Sequence, residues 1–106
     1  MAPPDVDDEL FWDIAGEFIA ADRAEEGELM RSRCLRVDGE FMAMAEYRTG
    51  DLVVKLPKTR VAGLIDDGTG LPFAPAKKVF SEWVQVPERN EALWRTLLEE
   101  AQVFAS

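Results

Sequence analysis

The sequence has no histidine, one cysteine (Cys34) and one tyrosine (Tyr47). Without an imidazole, Ser-His-Asp and Cys-His nucleophilic systems and histidine-ligated zinc are excluded. A lone thiol forms no internal disulfide and no multi-cysteine metal cluster. Long apolar runs are missing too, and none approaches the roughly 20 residues that span a bilayer. The opening MAPPDVDDEL has neither a basic n-region nor an apolar h-region, so no signal peptide is expected. These absences point to a soluble, cytoplasmic chain with no membrane partner.

What is present suffices for a core. The chain has 106 residues, 47% of them hydrophobic and 31% charged, which fits a single domain over residues 1–106. Acids outnumber bases 21 to 12, for a net charge of −9. The imbalance is local: residues 1–30 hold ten acids against one base, Arg23, while residues 31–106 hold 11 of each. The acidic field therefore belongs to the first part of the chain, and the rest is neutral.

Apolar spacing divides the chain into elements. After a flexible tail (1–5), Leu10, Phe11, Ile14, Phe18 and Ala21 form one stripe of a helix expected from Val6 to Ala24. Asp5 is its expected N-cap, and Trp12, Gly16 and Ile19 lie on a flank. Glu25-Glu26-Gly27 reads as the helix exit. A strand from Leu29 to Val37, an Asp38-Gly39 hairpin turn and a return strand from Glu40 to Tyr47 follow. Arg48-Thr49-Gly50 turns into a third strand, Asp51 to Leu56.

Pro57 stops that strand, and Thr59 can cap a short helix burying Val61, Leu64 and Ile65, closed by Gly68. Gly70 to Ala76 reads as a loop with a few extended residues at Leu71–Phe73. Val79 to Val86 reads as a strand with Trp83 on one face and Phe80, Val84 and Val86 on the other. The last helix, about Glu88 to Phe104, turns Leu93, Leu97, Leu98, Ala101 and Phe104 inward. The order α-β-β-β-α-β-α implies a two-layer α+β domain, an antiparallel sheet with helices on one face.

Chemistry is sparse. Asp5, Asp7 and Asp8 lack the glycine turn and distal glutamate of a calcium loop, and Asp66-Asp67-Gly68 is explained by a helix end. Glu25, Glu26 and Glu28 carry no signal of burial. Cys34 sits mid-strand beside Arg33 and near Arg36; adjacent strand residues point to opposite faces, so an inert buried thiol is expected. Neither catalytic residues, nor a metal, nor a cofactor is expected. The aromatic inventory suggests a homodimer through Trp12, Ile19, Tyr47 and Trp94. A basic set, Arg31, Arg33, Arg36, Lys55, Lys58 and Arg60, offers a nucleic-acid-binding alternative. A third reading has the first helix present carboxylates, Asp13 and Glu17 among them, to a basic partner.

Several strings carry a resemblance: CLRVDGEFMAM (Cys34 to Met44), DLVVKLP (Asp51 to Pro57), LPFAP (Leu71 to Pro75) and EWVQVP (Glu82 to Pro87). Across residues 29–105 the chain resembles the N-terminal domain of the TfoX/Sxy competence-regulator family and, more distantly, YjbR/MmcQ-like proteins. It departs at Arg31-Ser32, where relatives tend to carry Phe-Gly. The resemblance implies a small α/β domain, often dimeric, without catalytic residues. Its longer relatives are linked to regulation of DNA uptake. Regulation through protein–protein contact is the function it leads one to expect.

Overall fold

A computed structural model describes residues 7–29, 32–74 and 77–106. Helix α1 runs Glu9–Ala20 and buries Phe11, Ile14, Ala15 and Phe18, the helical spacing of its apolar stripe. It is shorter at both ends than expected. The expected tail and the Asp5 cap lie outside the described residues, and Asp8 occupies the N-cap position. After Ala20 the chain turns, with Asp22 at φ 59, a left-handed conformation no continuing helix allows.

The main departure follows directly. Glu25–Leu29 is not a helix exit but strand β1, paired antiparallel with β2, Ser32–Val37. The single strand expected over Leu29–Val37 is thus the end of one strand and the whole of the next. Strand β1 lies at the sheet edge and reads EEGEL, so it has no apolar alternation by which it could be recognised.

Strand β3, Glu40–Ala45, returns from β2 through Asp38 (φ 52) and Gly39 (φ 81), the two positive dihedrals a type I′ hairpin needs. The register shifts between Leu35 and Arg36, which pair with Ala43 and Phe41. Met42 is the extra residue of this bulge, and it joins Ala43 in the helix-side core.

Strand β4 is Leu52–Lys55, helix α2 Lys58–Asp66, strand β5 Leu71–Pro72, strand β6 Trp83–Val86 and helix α3 Glu91–Ala105. The six strands among the described residues lie in the order β1-β2-β3-β4-β6-β5, every neighbouring pair antiparallel. The element order gains two strands, β1 and β5, over the expected one. The two-layer α+β architecture with helices on one face stands.

Helix α3 is the middle of the helical layer. Arg95 reaches Glu17 on α1 at 2.6 Å, and Glu100 accepts from Arg60 on α2 at 2.9 Å. Trp94, Leu97, Leu98 and Ala101 are buried, whereas Phe104, expected inward, is 38% exposed in the last turn. Asn90 starts this helix by accepting from the Leu93 N–H at 3.0 Å, three residues later than expected.

The open sheet face as candidate functional site

The face of the sheet away from the helices carries a second apolar cluster. Cys34, Met44, Val53 and Phe73 are buried there, with Leu29, Phe41, Phe80 and Trp83 packed against them. Trp83 is its centre: Phe41, Phe80 and Phe73 stack near it at centroid distances of 4.4, 5.1 and 5.4 Å. Phe80 is therefore on the face of Trp83, not of Val84 and Val86. Strand β6 begins only at Trp83, whose N–H bonds the Phe80 carbonyl at 3.1 Å; this turn breaks the alternation that put Phe80 on the other side.

Beside this cluster lies a groove of about 250 Å³. Met44, Pro72, Phe73 and Ala74 supply apolar lining. Ser32, Gln85 and the Glu46-Tyr47-Arg48 segment supply polar lining. Met44 and Gln85 reach it because both pair with Val53 on β4 and so share its face.

The segment between β3 and β4 is organised by a buried side chain. Glu46 is 5% exposed, and its Oε2 accepts from the Arg48 N–H at 3.2 Å, the Thr49 N–H at 3.1 Å and the Thr49 hydroxyl at 3.1 Å. Gly50 completes the turn at φ 80, with the Asp7 backbone packed where a Cβ would stand. Asp51 accepts from Gln85 Nε2 at 2.8 Å and from Arg89 at 2.7 Å. Arg89 also donates to the carbonyls of Asp7, Thr49 and Pro87, tying the start of α1 and the approach to α3 to this turn. Burial alone would raise the Asp51 pKa. Hydrogen bonds from Arg89 and Gln85, with Thr49, outweigh it and hold the carboxyl below its ordinary value.

The residues singled out from the sequence fare unevenly. Trp94 is fully buried, and its indole N–H donates to the Glu88 carbonyl at 2.7 Å, so it is core and not interface. Trp12 is half-buried beneath the Arg33 guanidinium, 3.9 Å from its ring. Ile19 is 37% exposed on α1 and Tyr47 is 60% exposed beside the groove, on opposite layers of the molecule. The four do not form one surface.

Nor do the cations. Arg31 lies outside the described residues. Arg33 is bidentate to Glu26, and Arg60 is bidentate to Glu100. Arg36 donates to the Glu28 carbonyl. Lys55, paired with Trp83, is on the open face, whereas Lys58 begins α2 in the helical layer. Two of the acids considered are simply paired: Arg95 holds Glu17, and Arg33 holds Glu26, below the usual carboxylate range. Asp67 accepts from the Thr69 N–H at 2.9 Å, as a helix-end turn requires. Cys34 is buried under the aromatic cluster.

Glu46, Gln85 and Met44 escaped sequence reasoning. The one signal for Glu46 was a charged residue ending an otherwise apolar strand, three residues before Thr49. Fold and groove together define an α+β domain with one helix-covered face and one open, grooved face. The chain matches no family model, no curated protein and no solved structure. Among the described residues no helix is long and apolar enough to cross a membrane.

Proposed function

We propose that this chain is a non-catalytic interaction module that binds a partner protein on its open sheet face. One observation carries the reading: the helices leave that face uncovered, and an apolar-floored groove opens there beside an aromatic cluster. Tyr47, and Leu71 at 49% exposure on the strand beside Gln85, add exposed apolar surface around it. The resemblance to the TfoX/Sxy N-terminal domain supports a regulatory role exercised through such contacts, and membership of that family is part of the proposal. The stacked rings of Phe41, Trp83 and Phe80 cover one another, which favours protein contact over base stacking.

A photo-crosslinking residue at position 47, compared in cells with one at exposed Ala62 on α2, tests this. A discrete adduct from position 47 and none from position 62 is expected. Equal adducts, or none from position 47, overturn it. Light scattering on the purified chain then decides whether the occupant is a second copy, as the homodimer expectation holds, or a different protein.

A further inference from the structure

Two carboxylates are buried among the described residues, Glu46 and Asp51, and they are differently satisfied. Asp51 has a short donor on each oxygen. Glu46 spends Oε2 on its own turn, while its Oε1 meets, among the described residues, only Arg48 Nε, at 3.3 Å, from a side chain 68% exposed. Charge-assisted bonds usually close to about 2.7–2.9 Å. Glu46, a buried carboxylate with one loosely held oxygen, thus lines a groove of mixed apolar and polar surface.

Two neighbours sharpen the chemistry. Gln85 has its amide nitrogen engaged by Asp51, so its oxygen is the atom left to accept a donor in the groove. The Arg48 guanidinium lies 5.2 Å from the Tyr47 ring centroid, against the carboxylate and the aromatic face together. An apolar floor with a carboxylate, an amide oxygen and an aromatic flank suits a long apolar stem bearing a planar cation with several donors.

We propose that the groove receives an arginine side chain of a partner protein. Its stem lies on Met44 and Phe73, and its guanidinium meets Glu46 Oε1, with Gln85 as second acceptor and Tyr47 alongside. Arg48 is the placeholder that the incoming group displaces. The volume of about 250 Å³ admits one such side chain. This proposal rests on the partner-binding reading of the open face and names its anchor.

The test is an NMR titration of the full ¹⁵N-labelled chain with N-acetyl-arginine methylamide, its lysine counterpart and its uncharged citrulline counterpart. Saturable shifts at Tyr47, Thr49, Phe73 and Gln85 are expected with arginine, weaker ones with lysine and none with citrulline. Glu46→Gln keeps an acceptor for the turn and is expected to weaken binding about tenfold. Arg48→Ala removes the placeholder and is expected to tighten it about threefold, the scale of one exposed ion pair. Should Glu46→Gln lose its fold, exposed Tyr47→Ala replaces it, with a several-fold weakening expected.

Equal binding of citrulline, an unchanged affinity in Glu46→Gln, or silence in both wild type and Arg48→Ala overturns the proposal. The crosslink at position 47 separates the two readings. If it persists undiminished in Glu46→Gln, the open face binds its partner without this anchor. If it is absent from the wild type, the open-face reading itself fails.

Discussion

Glu46 and Asp51 stand five residues apart, and each holds a different junction. Glu46 closes its own turn, and truncation leaves the Arg48 and Thr49 N–H groups without their acceptor. Glu46→Ala is therefore expected to cost about 1–3 kcal/mol in urea denaturation, and Glu46→Gln clearly less. Between them, Gly50 combines a left-handed backbone with the Asp7 backbone packed against its Cα. Gly50→Ala is expected to destabilise by at least about 1–2 kcal/mol, from the dihedral alone.

Asp51 makes stability pH-dependent. Its folded-state pKa lies below the ordinary 3.8, so the folded protein binds its proton less readily than the unfolded chain. The stabilisation is complete above that ordinary value and is lost as pH falls through the lowered one. Glu17 and Glu26, lowered by Arg95 and Arg33, act with the same sign. Denaturation midpoints should fall as the solution is acidified below the ordinary carboxylate range. Asp51→Asn should be less stable at neutral pH and show a flatter acid limb; an unchanged limb would assign the effect elsewhere.

Among the elements, α3 carries the most. It lies between α1 and α2 and buries Trp94, whose ring packs in the core while its N–H holds the Glu88 carbonyl ahead of the helix. Trp94→Ala is expected to cost about 3–5 kcal/mol. Trp94→Phe, which keeps a ring but leaves that carbonyl without its donor, is expected to cost about 1–3 kcal/mol.

The segment between β5 and β6 depends on a different core. Phe73 and Phe80 anchor it to Trp83, outside the helix-side cluster. Trp83→Ala should therefore release this segment before the molecule unfolds. Hydrogen exchange should rise at Phe80 and Trp83, whose N–H groups bond within it, and stay slow at the buried core of α3. Uniform acceleration throughout would contradict a separate cluster.

Over the whole molecule the acids and bases are arranged by element. Acidic α1 and β1 share one side of the molecule, where Arg33 pairs with Glu26 and Arg95 with Glu17. The charged β1 edge opposes pairing with another copy of itself, since glutamates would face glutamates across the new ladder. Arg33, Arg36 and Arg60, three of the cations in the nucleic-acid alternative, are engaged within the fold. Fluorescence anisotropy with single-stranded oligonucleotides at low salt is accordingly expected to give no saturable binding.

What the sequence determined by itself was local: the buried stripe of α1, the Asp38-Gly39 hairpin, the short helix before Gly68 and a helical layer on one face. Each is written in a spacing of 3.6 or 2, or in turn residues a few positions apart. Tertiary structure decided the rest. Strand β1 exists because β2 offers it an edge, not because EEGEL prefers extension. Phe80 joins Trp83 because a turn, not strand alternation, chose its side, whereas the burial of Trp94 does follow the helical spacing it shares with Leu97, Leu98 and Ala101. The groove arises where the β3-β4-β6 register sets Met44 and Gln85 on the face of Val53, with Glu46 at the strand end. Residues so far apart in the chain share no periodic pattern, and only the sheet order brings them together.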